Sequence, residues 1–307
     1  MDTRKIGTLD VSTVGLGCNN FGWHIDEAAA TAVVHAALDA GITHFDTADS
    51  YGGGRSEEML GRALGRERQR VVIATKFGSR TGGSPANVRR SIEASLRRLG
   101  TDYVDLYYLH KPDPTTPIAE TLGALDALVR EGKVREIAGS NLSPDQLREA
   151  EAAAKGARFA ALQNEYSLLH RAPEAGTLEA CRALGLAFVP YFPLKSGLLT
   201  GKYRKGDAVP EDARLAGRED SYFEPYRERY LTDENLDAVE RLIGFAESRG
   251  RTILDLAFSW LLAHEPVASV IAGATKPAQV RANAAAAGWA LTADDLAEVD
   301  ALLGQPA

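Results

Sequence analysis

The sequence predicts an α/β fold, a (β/α)8 TIM barrel, on three observations. Short runs of continuous apolar or β-branched residues alternate with longer stretches of helical period. There are eight such runs, and the first lacks the glycine spacing of an open dinucleotide-binding sheet. Runs that are apolar at every residue are strands covered on both faces, as parallel strands are. Strand–helix alternation gives an all-parallel sheet. Eight units in 307 residues is the size of a closed barrel. The competing fold, an open doubly wound sheet, carries G-x-G-x-x-G in its first strand–helix turn. Here Gly15 and Gly17 are followed next by Gly22.

The strands are read at 14–17, 43–46, 71–75, 104–109, 134–139, 159–162, 187–191 and 270–272. A helix over 28–40 begins after the acidic pair Asp26 and Glu27. Ser84-Pro85 reads as a cap and first-turn proline, opening a helix to Leu99 with Gly100 beyond it. Ile118, Leu122, Leu125 and Leu128 form one apolar stripe. Ser143-Pro144 caps a further helix, and 174–184, 234–248, 252–263 and 277–287 complete the set. The first residues, 5–12, turn at Gly7-Thr8 and suit a β-hairpin across the barrel floor. After the seventh strand the chain runs polar and irregular from Tyr203 to about Leu231, a loop long enough to be functional. All of 1–307 is read as one barrel domain.

Composition narrows the function. Lys and Arg number 35 and Asp and Glu 42, a net charge of −7, which argues against a nucleic-acid binder while leaving room for a local basic pocket. Two cysteines, Cys18 and Cys181, make no disulfide scaffold and suit a reducing cytosol as small buried groups. No signal-peptide pattern opens the chain and no apolar run approaches the ~18 residues of a membrane span. The expectation is a cytoplasmic protein acting on a small molecule. Homo-oligomerisation is left open.

In a barrel the chemistry lies at the C-terminal ends of the strands. The second strand ends in Asp46, with Tyr51 just beyond it; the third reaches Lys76 and the fourth His110. Adjacent strands thus deliver an acid, a base and an imidazole to one rim, below a phenol. A buried Lys76 ammonium needs a counter-charge, which Asp46 supplies. A cation beside a phenol favours the phenolate, so Tyr51 is expected to fall from about 10 toward about 7–8 and to exchange protons near working pH. His110 is suited to orienting a carbonyl oxygen. This set protonates an oxygen but holds no nucleophile and no metal cluster, so a nicotinamide cofactor is the missing hydride source. No histidine spacing suits a metal, and Gly197 to Lys202 lacks Walker spacing.

Seven stretches carry a resemblance to the aldo-keto reductases: FDTADSYG at 45–52, ATKFG at 74–78, YLHKPD at 108–113, GSNLS at 139–143, LQNEYSLL at 162–169, YFPLKSGLLTGKY at 191–203 and GATKPAQVRAN at 273–283. The resemblance spans the chain. It implies the barrel, NADP(H) with NAD(H) as the alternative, and reversible reduction of aldehydes, ketones or keto-sugars to alcohols. It implies the tetrad Asp46, Tyr51, Lys76 and His110. It further implies that Ser140, Asn141 and Gln163 hold the nicotinamide carboxamide and that Tyr191 stacks on the ring. By the same resemblance Leu194, Ser196, Gly197, Leu198 and Lys202 form the loop over the pyrophosphate, and Gly273, Thr275, Lys276, Gln279 and Asn283 hold the adenosine end. Gln279 stands where an Arg for the 2′-phosphate is common, and Ala282 where an acid is. Lys276, Arg204 and Arg218 are therefore the candidate phosphate cations.

For the substrate, Trp23 follows the first strand beside Asn19, Asn20 and His24, and is the candidate wall. Tyr222, Phe223, Tyr226 and Tyr230 stand in or near the long loop as candidates to close over it. Three other readings compete: a dehydrogenase working mainly in oxidation, a non-catalytic NADP(H)-binding sensor like the potassium-channel β subunits, and a Schiff-base lyase using Lys76.

Overall fold

Residues 1–211, 213–216 and 224–304 are described by the computed structural model, side chains at 224 and 225 excepted. Arg218, Tyr222 and Phe223 lie outside them. Two antiparallel strands come first, β1 (Thr3–Ile6) and β2 (Leu9–Ser12). Eight parallel strands follow: β3 (Val14–Gly17), β4 (His44–Asp46), β5 (Val72–Phe77), β6 (Val104–Leu109), β7 (Val134–Ser140), β8 (Phe159–Glu165), β9 (Ala187–Tyr191) and β10 (Val270–Gly273). Their order is β10-β3-β4-β5-β6-β7-β8-β9. The seam between β9 and the approach to β10 is a short bridge: Phe188 N–H donates to the Pro266 carbonyl and Ala268 N–H to the Phe188 carbonyl. The ring is thus nearly closed, a (β/α)8 barrel as the alternation predicts.

The strands bury apolar side chains on both faces, which is why their runs are continuous. Inside the ring, Val72, Ala74, Leu106, Tyr108, Ala138, Ala161 and Val189 share one cluster with Ile6, Leu9 and Val11 of the hairpin. The hairpin therefore plugs the barrel floor. With a side-chain period of two, the next inward positions above this layer are Asp46, Lys76, His110, Ser140, Gln163 and Tyr191. The barrel core ends where the polar layer begins.

Helices cover the outside: α1 (Glu27–Asp39), α2 (Arg55–Leu64), α3 (Pro85–Leu99), α4 (Ile118–Arg130), α5 (Pro144–Ala153), α6 (Thr177–Leu184), α7 (Glu224–Tyr230), α8 (Asp233–Glu247), α9 (Ile253–Leu262), α10 (Pro277–Ala285) and α11 (Ala293–Leu302). Caps fix several starts. Ser143 and Gln146 form a reciprocal box at α5, as do Thr252 and Asp255 at α9. Three helices differ from the sequence reading. α2 is missing from it: its first turn buries polar Ser56 and Glu57, Glu57 accepting from Thr75 Oγ1 and Arg98 Nε, and only Met59, Leu60, Ala63 and Leu64 form a short apolar face. α11 is missing because it buries Val299 alone and is fastened by ion pairs of Asp295, Glu298 and Asp300 with Arg249 and Arg171. α7 occupies the end of what was read as irregular loop.

Gly61 sets the distance between α2 and α3, because a Cβ there would lie 2.2 Å from the Leu99 carbonyl oxygen. Gly61→Ala is expected to push the helices apart and to destabilise the protein by about 1–3 kcal/mol, read as a lower urea midpoint. An unchanged midpoint would show that this contact yields freely.

Candidate active site

The C-terminal rim of the barrel opens into a cavity of about 1170 Å³. Tyr51 is set at its floor by a backbone that only glycine permits. Gly52, Gly53 and Gly54 have φ of 57, 67 and 96°, and a Cβ on Gly52 would meet the Phe21 carbonyl at 2.8 Å. The chain thus turns sharply after Tyr51 and enters α2.

Lys76 is fully buried and Asp46 nearly so. Lys76 Nζ donates to Asp46 Oδ1, to the Thr47 carbonyl at 2.9 Å and to the Tyr51 hydroxyl at 3.4 Å. All three ammonium protons are engaged. Gln163 Nε2 donates to the other Asp46 oxygen at 2.9 Å. Burial alone would lower the Lys76 pKa, but Asp46 and Tyr51 more than reverse it, and the ammonium is held. Tyr51 departs from the sequence expectation. Burial lifts its hydroxyl above the ordinary value near 10, and the opposing pull of Lys76 does not overcome that. The reason is neutralisation: Asp46 cancels much of the field that Lys76 would exert on the phenol. Tyr51 is therefore a protonated acid at neutral pH.

His110 lies edge-on to Tyr51, ring centroids 5.9 Å apart. Burial, reinforced by Lys76 and Lys111, lowers its pKa to about 3, so the imidazole is neutral. Its Nδ1 is buried with no hydrogen-bond partner among the described residues. Beside it, Asn141 Nδ2 donates to the His110 carbonyl at 3.0 Å and Tyr191 OH donates to Asn141 Oδ1 at 2.8 Å. Ser140 Oγ donates to the Gln163 carbonyl at 2.8 Å. These four residues, from β7, β8 and β9, thus hold one another in place on the cavity wall.

Backbone strain gathers here. The non-glycine residues with left-handed φ among those described are Asn141, Phe192, Lys195 and Ser196, and all four line the cavity. Such conformations cost about 1–3 kcal/mol each and persist where the surroundings impose them. Lys195 is imposed on by an ion pair with Glu165 and by the Tyr230 ring 5.0 Å away. Leu194, Ser196, Gly197 and Lys202 follow along the wall, and Gly273, Thr275, Lys276, Gln279 and Asn283 face them from β10 and α10. Gly197 has φ 99°, and a Cβ there would strike Lys202 Cε at 2.5 Å. Gln279 Oε1 accepts from the backbone N–H of Thr275 and Lys276, ordering the turn into α10.

This donor set fits a nicotinamide dinucleotide. Carboxamide-competent Asn141 and Gln163 lie beside Tyr51, and Lys202, Arg214 and Lys276 supply positive charge along the β9 and β10 side. The α10 N-terminus adds its own.

The Aldo/keto reductase family model matches residues 13–303. The chain belongs to the aldo/keto reductase family. It is 36% identical to "Probable aldo-keto reductase 1" of Glycine max, over 96% of this chain and 87% of that one. It is 34% identical to the "L-glyceraldehyde 3-phosphate reductase" of Escherichia coli O157:H7, over 95% and 89%. A solved glycerol dehydrogenase from Gluconobacter oxydans superposes with a TM-score of 0.84 at 32% identity, covering 99% of this chain and 95% of that chain. Membership makes the protein a carbonyl–alcohol oxidoreductase of a nicotinamide-using family. No described helix is long and apolar enough to cross a membrane.

The remaining expected residues divide between the cavity, the core and the surface. Leu198 is wholly buried in the outer core, so only its backbone is left to the loop. Arg204 is paired with Glu240 on the surface, away from the large cavity. Tyr230 is buried under Lys195, whereas Tyr226 lines the cavity. Trp23, at 49% exposure, stands at the mouth against His24. Arg214 was overlooked. It reaches from the long loop into the cavity and donates to Asn20 Oδ1 at 2.8 Å. Its only sequence signal was a cation in a long loop after the seventh strand.

Tyr51 above 10 and His110 near 3 keep one protonation state each across the neutral range. Carbonyl reduction is expected to be independent of pH from about 5 to about 9 and to fall beyond, as the phenol ionises. A limb in kcat/KM near about 6.5 would show His110 titrating as an ordinary imidazole.

Proposed function

We propose that the protein is an NADP(H)-dependent reductase of aldehydes, ketones or keto-sugars, NAD(H) being the weaker cofactor, and that residues 1–307 act as one catalytic domain. The observation that carries this reading is the hydrogen-bonded set Lys76, Asp46 and Tyr51 on the cavity floor, with a neutral His110 alongside. A bound reduced nicotinamide supplies a hydride to the carbonyl carbon. Tyr51 gives its proton to the carbonyl oxygen, and the phenolate left behind sits 3.4 Å from the Lys76 ammonium. His110, neutral, orients the oxygen by hydrogen bonding. Asp46 holds Lys76 charged and in line. Because the resting form of Tyr51 is the acid, reduction is the direction favoured at neutral pH, and oxidation should gain at alkaline pH. The buried, unpaired Cys18 and Cys181 suit the reducing cytoplasm, where we place it.

Tyr51→Phe removes the acid and keeps the ring. It is expected to lower kcat for reduction of an aldehyde panel by about 10²–10⁴-fold, with NADPH still bound by fluorescence titration. Retention of most of kcat would refute the assignment. For the cofactor, Lys276 lines the adenosine-side wall. Lys276→Ala is expected to raise the Kd of NADPH about tenfold through loss of a charge-assisted contact, with a much smaller change for NADH. Equal changes would remove Lys276 from phosphate selection.

A further inference from the structure

The chain carries a net charge of −7, yet its cavity is basic. Among the described residues seven lysines and arginines line it, against one acid, Asp46, which Lys76 neutralises. The cations fall into groups by strand. Lys202, Arg214 and Lys276 follow β9 and β10, on the side assigned to the cofactor phosphates, and Lys195 is paired with Glu165. Arg55, Arg80 and Lys111 follow β4, β5 and β6, the strands that bear the catalytic set. In the ring order β5 stands opposite β9 and β6 opposite β10, so Arg80 and Lys111 are not placed to serve the same phosphates, and Arg55, after β4, stands between the two groups.

None of these three is accounted for by an ion pair. Arg55 Nε donates to the Gly52 carbonyl, one turn from Tyr51. Arg80 and Lys111 are exposed and have no ion-pair partner among the described residues. The nearby acid, Asp113, does not line the cavity. Its carboxylate accepts from Gly83 N–H at 2.7 Å and from Thr115 and Thr116, stitching the loop of Arg80 to the loop of Lys111. Three exposed cations thus line one opening with Tyr51 and His110, where an anion would meet them together.

Resting on the reductase reading, we propose that the substrate is an anionic carbonyl compound, its phosphate or carboxylate group held by Arg55, Arg80 and Lys111 while the carbonyl meets Tyr51 and His110. Two matched pairs test it: glyceraldehyde with glyceraldehyde 3-phosphate, and benzaldehyde with 4-carboxybenzaldehyde, each with NADPH. The anionic member is expected to show a kcat/KM at least about tenfold higher, chiefly through KM, and to lose that advantage as salt rises to about 0.2 M. Arg80→Glu and Lys111→Glu are each expected to cut the anionic-to-neutral ratio by about tenfold or more. Preference confined to one pair identifies the anion as phosphate or as carboxylate. Equal turnover of charged and neutral members, or a ratio that both charge reversals leave unmoved, overturns this inference alone. No NADPH oxidation with any of the four overturns the reductase reading and this inference with it.

Discussion

The ion pair between Lys76 and Asp46 is the interaction on which the rest of the site depends. Burying either charge alone would be prohibitive, and removing one partner from such a pair typically costs about 3–5 kcal/mol. The pair is tolerated because every proton of the ammonium is engaged and both carboxylate oxygens accept. Its charge also adds to burial in setting the state of its neighbours. Lys76 adds to burial in holding His110 neutral, and Asp46 limits what Lys76 can do to Tyr51. An acid, an orienting imidazole and a fixed cation thus follow from one buried contact between adjacent strands.

That contact is delivered by the barrel's period. Ala74 and Lys76, Tyr108 and His110, Ala138 and Ser140, and Ala161 and Gln163 are successive inward positions on their strands. The lower member of each pair packs in the barrel core; of the upper members His110, Ser140 and Gln163 line the cavity, and Lys76 is buried beneath it against Asp46 and Tyr51. The hairpin closes the other end with Ile6, Leu9 and Val11. Water is thereby kept from beneath the ion pair. The wall is shaped by backbone as much as by side chains. Asn141, Phe192, Lys195 and Ser196 adopt left-handed conformations; Asn141 is tied to His110, Ser140 and Tyr191, and Lys195 to Glu165 with the Tyr230 ring beneath it.

The strands were legible because burial on both faces leaves a continuous apolar run, and the polar residue that ends each run marks the rim. Asp46, Lys76 and His110 follow from that rule, and Tyr51 from its place in the loop just beyond Asp46. What could not be read has a physical cause in each case. α2 hides its inner face behind Glu57, whose partners Thr75 and Arg98 come from elsewhere in the chain. α11 is anchored by charge rather than by an apolar stripe. The protonation of Tyr51 depends on how completely Asp46 cancels Lys76, a balance of distances and burial rather than of residue types. Arg204 and Arg214 look equivalent in sequence, and only the course of the loop turns one toward Glu240 and the other toward Asn20.

The basic cavity in an acidic protein is a constraint of its own. Fields from separated surface charges are screened within about 8 Å at physiological salt, so the net charge of −7 does little inside the cleft. There the lining cations dominate, and low-dielectric walls concentrate their field. A dinucleotide held by Lys202, Arg214 and Lys276 on the β9 and β10 side leaves the charge of Arg80 and Lys111 uncancelled, because β5 and β6 stand across the ring from β9 and β10. Cofactor and an anionic substrate can then be drawn into one cavity without competing for the same cations.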